Sequence, residues 1–200
     1  MLTIVALLSV VAVQQPESLQ VVNRTASAFT DGAKRGIRLS ENAGDGVAFL
    51  KGVDFANGTI EVDLRGKDVP QQSFVGIAFH GVDDSTYEAI YFRPFNFRTP
   101  DPARRIRAVQ YVSHPTYTWN KLRAEHPGEY EKPANPAPDP NGWFHARIVV
   151  AGAKVSVYVD GATEPSLVVT RLNERTKGLL GFWVGNNSGG DFANLRIRPE

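Results

Sequence analysis

The chain has 200 residues, with 22 Lys and Arg against 21 Asp and Glu, a formal net charge of +1 and no cysteine. This length suits one domain with a sizeable core, and the charge balance gives no global reason to expect nucleic acid or an anionic membrane as partner. Disulfides, thiolate nucleophiles and thiolate-bound metals are excluded.

The chain opens on MLTIVALLSVVAV, an apolar run shorter than the roughly 20 residues a bilayer span needs. It reads as the hydrophobic part of an export leader, with Val10 and Ala12 as the small residues of a cleavage site. On this reading residues 1–13 are a signal peptide, 14–18 a polar linker and 19–200 one domain, secreted or periplasmic. No basic stretch precedes the apolar run.

Beyond residue 18 apolar and polar residues alternate with period two in short runs separated by Gly, Asn and Asp, the pattern of half-buried strands. Eleven runs qualify: 36–41, 46–51, 59–65, 73–80, 86–93, 106–113, 144–150, 154–160, 166–170, 179–185 and 192–198. Asn57-Gly58 and Asp160-Gly161 supply residues that tolerate the positive φ of tight turns. One segment breaks the alternation: Thr118 can cap a short helix that Pro127 and Gly128 end. Five prolines between 127 and 142 then predict an ordered loop without regular structure. The fold class is all-β, a two-sheet antiparallel sandwich with one short helix.

The frame GTIEVDLRG (58–66), FVGIAFHG (74–81), YEAIYFRPFN (87–96), VQYVSHP (109–115), NGWFHARIVVAGAKVSVYVDG (141–161) and GLLGFWVGNNSGGDFANLRI (178–197) resembles the concanavalin A-like lectin and glucanase superfamily. Within it the chain is similar to bacterial secreted laminin-G-like and 3-keto-disaccharide hydrolase domains. The resemblance implies a jelly roll with a carbohydrate on its concave face. It leaves open a lectin, a glycoside-active enzyme or a protein-interaction module, because one sandwich hosts all three.

Two catalytic patterns of that superfamily are matched only in part. Glu61 and Asp63 have the two-residue spacing of paired glucanase carboxylates, but Ile60, Val62 and Leu64 take the core face and leave the acids outside. Gln110 and His114 share a strand face, as do Tyr91 and Arg93, although the lyase pattern separates its Gln and His by one residue and this chain by three. If neighbouring strands align, His80, Tyr91, Arg93, Gln110 and His114 converge on one surface. Pro115 then turns the chain so that Tyr117 and Trp119 reach its rim, where aromatic rings stack on sugar C–H faces.

The expected ligand-contacting residues are therefore Tyr91, Arg93, Asn96, Gln110, His114, Tyr117 and Trp119, with His80, Glu88 and His114 as candidates for acid-base work. Arg93, Arg98, Arg104, Arg105 and Arg107 make the loop 94–106 locally basic, which favours an anionic carbohydrate. Trp143 and Trp183 read as packing residues. No cofactor is expected. Calcium is conceivable at the loop Asn186–Asp191, where one or two of the roughly six to eight oxygens a site needs can be identified.

Overall fold

The computed structural model describes residues 15–200 and the backbone of Val10–Val11; the remainder of the expected leader lies outside the described residues. In chain order the elements are β1 (Val10–Val11), β2 (Leu19–Val22), β3 (Ala26–Asp31), β4 (Lys34–Leu39), β5 (Gly46–Phe55), β6 (Gly58–Arg65), β7 (Val75–Gly81), β8 (Glu88–Phe92), α1 (Pro102–Arg105), β9 (Val109–Ser113), α2 (Trp119–Glu125), β10 (Glu131–Lys132), β11 (Phe144–Ala151), β12 (Lys154–Val159), β13 (Leu167–Thr170), β14 (Gly178–Val184) and β15 (Gly190–Pro199). They form two antiparallel sheets. One runs β13-β12-β11-β6-β15-β4-β3, with β1 beside β15, and the other runs β10-β9-β8-β7-β14-β5-β2.

All eleven expected strands are present, and alternation explains their facing. In β6, Ile60, Val62 and Leu64 are fully buried against Ile148, Ala146 and Phe144 of β11, while Glu61 and Asp63 point away from the core. From the other sheet Phe92 meets Phe144 edge-on at 5.0 Å and Phe182 meets Phe192 at 4.5 Å, so large rings close the layer between the sheets. The Asp160-Gly161 turn forms as expected: both residues have positive φ, and Ala162 N–H donates to the Val159 carbonyl at 3.0 Å.

Four strands were not expected. β3 is an edge strand of small and polar residues, ASAFTD, whose largely exposed positions give no alternating signal. β1, β2 and β10 have four residues or fewer. The basic segment 94–106, read as a loop, contains a second helix: Asp101 caps α1 by accepting from Ala103 N–H at 2.9 Å, with Pro102 in the first turn. α2 starts after Thr118 and stops at Glu125, just before Pro127 and Gly128. Thr118 stands at the N-cap position, but its hydroxyl bonds the Asn120 side chain instead of a backbone N–H.

Candidate functional site

A groove forms where β7 lacks side chains. Val75, Ile77 and Phe79 face the core, and on the other face Gly76 pairs with Tyr91 of β8 on one side and Trp183 of β14 on the other. With nothing between them the Tyr91 and Trp183 rings meet at 4.7 Å, tilted by 35°. A Cβ on Gly76 would run into the Ile90 carbonyl and the Tyr91 backbone, so only glycine permits this floor. Phe74 and Val112 extend it, and the groove above encloses about 500 Å³. Trp183 therefore packs, as expected, and also floors the groove; its indole N–H donates to the Tyr87 hydroxyl at 3.0 Å.

One wall comes from the turn after β9 and from α2: His114, Thr118, Trp119, Asn120 and Arg123. Trp119 is 48 % exposed, and the Arg123 guanidinium lies 4.8 Å from its ring. Arg123 also forks onto Glu131 of β10 at 2.8 and 2.7 Å, which together with buried Leu122 fixes α2 on the sheet. Arg93, Asn96, Arg104 and Arg107 also line the groove, as do Asp45, Asn186 and Asn187 from two further loops.

Of the expected ligand-contacting residues, Tyr91, Arg93, Asn96, His114 and Trp119 line this groove, and Gln110 and Tyr117 do not. Gln110 is 1 % exposed with its amide fully engaged. Its N–H groups donate to the Tyr111 and Tyr130 carbonyls, and its oxygen accepts from Arg93 at 3.2 Å. It holds Arg93 in place from beneath. Arg93 is itself nearly buried, donates to the Tyr91 hydroxyl at 2.7 Å and to the Arg107 carbonyl at 2.8 Å, and lies 4.9 Å from the Tyr91 ring. Tyr117 is half-buried against the core, with the Lys121 ammonium 5.1 Å from its ring.

His80 and Glu88 are corrected more sharply. Parity along β7 put His80 on the groove face, but a register shift between β14 and β7 and a positive φ of 48° turn its ring inward. There His80 Nδ1 lies 2.9 Å from Glu88, both side chains being 0 % exposed. Arg171 donates to both Glu88 oxygens, its shortest bond being 2.7 Å, and the Tyr111 hydroxyl donates to Glu88 at 2.5 Å. These bonds outweigh the cost of burial and pull the Glu88 pKa down to about 2. The cluster is a closed ionic lock between the sheets, out of reach of a ligand in the groove.

His114 remains as a titratable groove residue, and sequence reasoning missed its neighbour Asp45. The Tyr87 ring tilts against His114 at 5.1 Å. Desolvation holds His114 below its ordinary pKa against the pull of Asp45. Desolvation likewise raises Asp45, although the residue as a whole is exposed, outweighing the attraction of His114 and Arg24.

Arg24 holds the two loops that bring Asp45, Asn186 and Asn187 to the groove. Its guanidinium donates to four backbone carbonyls, of Asn23 (2.6 Å), Gly44 (2.7 Å), Gly185 (2.9 Å) and Ser188 (3.1 Å), so one side chain ties the loop bearing Asp45 to the loop bearing Asn186 and Asn187. Nothing local in the sequence marks it, since its partners lie up to 164 residues away. The Asn186 and Asn187 part of the Asn186–Asp191 loop does reach the groove, but Asp191 turns to the opposite sheet. Its two oxygens accept from Arg38 and Arg65 at 2.7–3.0 Å, which uses the carboxylate that calcium would need. Among the described residues no three His, Asp or Glu side chains are placed to hold one metal ion.

On the outer face of the other sheet Asp63 accepts from Lys34, His145 and Asn194. Glu61 pairs with Arg198. These acids are committed to a charge network on the sheet that does not carry the groove. Trp143 stacks on Phe29 at 5.7 Å there, beneath Arg65, as a packing residue.

No protein-family model matches the chain, and no curated protein matches it. Solved structures do. A carbohydrate-binding module, CBM66 from Bacillus subtilis, shares 15 % identity over 90 % of this chain and 95 % of its own, with a TM-score of 0.64. A native glycosidic hydrolase shares 13 % identity over 96 % and 95 %, TM-score 0.60. The exoplasmic domain of VIP36, in a form bound to Ca2+ and Man3GlcNAc, shares 10 % identity over 94 % and 86 %, TM-score 0.58. At these identities the likeness is one of fold: with the sheet order above, the chain has a concanavalin A-like, galectin-like jelly-roll fold.

Proposed function

We propose that this domain binds a carbohydrate in the groove over Tyr91 and Trp183, and that it does so outside the cytoplasm. The observation that carries the reading is Trp119, a large ring left 48 % exposed on the rim of a half-open, aromatic-floored groove. A pyranose or furanose ring presents a C–H face to such a side chain, while its hydroxyls need side-chain amides and imidazole, which Asn120, Asn186, Asn187 and His114 supply. The solved structures of similar fold include a carbohydrate-binding module and a glycan-bound lectin domain, which supports the same reading. A protein-interaction module of the laminin-G kind would more naturally present a filled face than this groove. Export rests on the apolar run at the N-terminus; cleavage after it would remove β1, which lies off the strand path of its sheet, and leave both sheets continuous.

A glycoside-active enzyme is the second reading, favoured by one observation: a carboxyl group, Asp45, and an imidazole, His114, both line the groove, and burial raises the pKa of the first and lowers that of the second. A glycan array with the domain, followed by product analysis on every hit, separates the two. Retention of intact ligand supports binding alone, cleavage that His114→Gln abolishes moves the assignment to the enzyme, and an array without hits refutes both.

A further inference from the structure

We propose that the groove reads a negative charge on its glycan, a carboxylate or a sulfate, and that the Arg107 guanidinium is the group that reads it. The inference rests on the carbohydrate reading above and specifies its ligand.

Four guanidinium groups line the groove, those of Arg93, Arg104, Arg107 and Arg123. A single carboxylate, Glu131, answers them from behind: it is committed to Arg123 through two bonds and lies only 3.8 Å from Arg93 and 3.7 Å from Arg107. Among the described residues Asp45 is the one acid that lines the groove, and it lies beside His114 and Arg24. This part of the groove therefore carries a positive charge in clear excess of what the protein neutralises. Like charges held this close repel one another, a cost that an anionic ligand relieves and a neutral one does not.

The donors separate Arg107 from the rest. Arg93 spends its N–H groups on Tyr91, Gln110 and the Arg107 carbonyl, Arg104 on Asn96 and the Phe95 carbonyl, and Arg123 on Glu131. Arg98 and Arg105, nearby in sequence, turn to the carbonyls of Ala137 and Thr99. Arg107 alone of this group makes no side-chain hydrogen bond; its buried Nε lies 3.7 Å from Glu131, a carboxylate already committed to Arg123 through two bonds. Its backbone is nonetheless fixed, because its carbonyl accepts from Arg93 at 2.8 Å and from Asn96 at 3.3 Å. A guanidinium on a fixed backbone that makes no hydrogen bond within the protein fits an oxyanion that accepts through two oxygens, as carboxylate and sulfate do and a lone hydroxyl does not.

The test is calorimetric titration of the full chain with matched pairs of oligosaccharides: oligogalacturonate against its methyl ester, oligoalginate against its methyl ester, and chondroitin sulfate oligomers against their desulfated forms. At least one acidic member is expected to bind about tenfold tighter than its neutral partner, and which pair shows the difference assigns carboxylate or sulfate. Arg107→Gln should erase that difference by weakening the acidic member about tenfold more than its neutral partner, and the melting temperature should stay unchanged, since the side chain is 37 % exposed. Equal affinities within every pair, or equal weakening of both members by Arg107→Gln, overturn the charge-reading role while the carbohydrate reading stands. Failure of every oligosaccharide to bind, on these pairs and on the neutral glycans of the array, overturns both.

Discussion

Glu88→Gln should destabilise the domain by about 3 kcal/mol, and the size can be worked in two ways. The Glu88 pKa falls from 4.5 to about 2 on folding, and at about 1.4 kcal/mol per unit this gives about 3 kcal/mol. Independently, removing one partner of a buried ion pair typically costs about 3–5 kcal/mol, because the remaining charge, here Arg171 at 6 % exposure, stays buried without its counter-ion. For a chain of this size each kcal/mol moves the melting temperature by about 2–4 °C, so a fall of about 6–12 °C is expected at neutral pH. The sign with pH follows from a depressed pKa. The stabilisation is fully present above the unfolded value of 4.5 and is lost as pH falls through the folded value of about 2. Urea titrations of both proteins from neutral pH down to about pH 2 should show their stability difference shrinking on acidification. A difference below about 1 kcal/mol at neutral pH, or one that stays constant down to pH 2, refutes the ionic lock.

Trp119→Ala should weaken glycan binding about three- to tenfold, the worth of one stacked ring, and leave the melting temperature within a degree or two, because the ring is largely exposed; loss of fold would show that the ring is structural. Gln110→Ala should behave oppositely, lowering stability by about 1–3 kcal/mol through the loss of its buried amide bonds and a loosened Arg93, as read by urea denaturation. From about pH 7 to about pH 4 a sulfated oligosaccharide, whose own charge is constant, should bind more tightly. His114, beside Tyr87, gains a proton, and Asp45, its pKa raised, begins to lose its charge, both making the groove more positive; unchanged calorimetric affinity counts against this. N-terminal sequencing of exported protein should begin between Val13 and Ser18, and intact Met1 in the exported product refutes the leader.

The sheets were legible because alternation is a local signal: Ile60, Val62 and Leu64 against Glu61 and Asp63 declare both strand and facing within one run. β3 was not legible because Ala26, Ser27 and Ala28 carry almost no hydrophobic contrast at an edge that needs little. Within the site, Tyr91, Arg93 and His114 followed from parity on single strands and from the turn at Pro115. His80 escaped because one left-handed residue reverses a facing that parity otherwise fixes. Gln110 sat on the right strand but beneath the surface, where burial depends on β10 and Arg93 and not on its own run. Asp45, Asn186 and Arg24 belong to loops that meet only in space.

The junction made by Arg24 has a consequence for how the groove responds to its surroundings. Carbonyl oxygens gathered from two loops form the kind of cradle that draws a cation, and here the cation arrives on the polypeptide itself. A tethered charge has no dissociation constant: it is not diluted away, stripped by a chelator or exchanged for a competing ion. The spacing between Asp45 and the Asn186–Asn187 pair is thus set once, when the chain folds, and stays the same across media of very different mineral content.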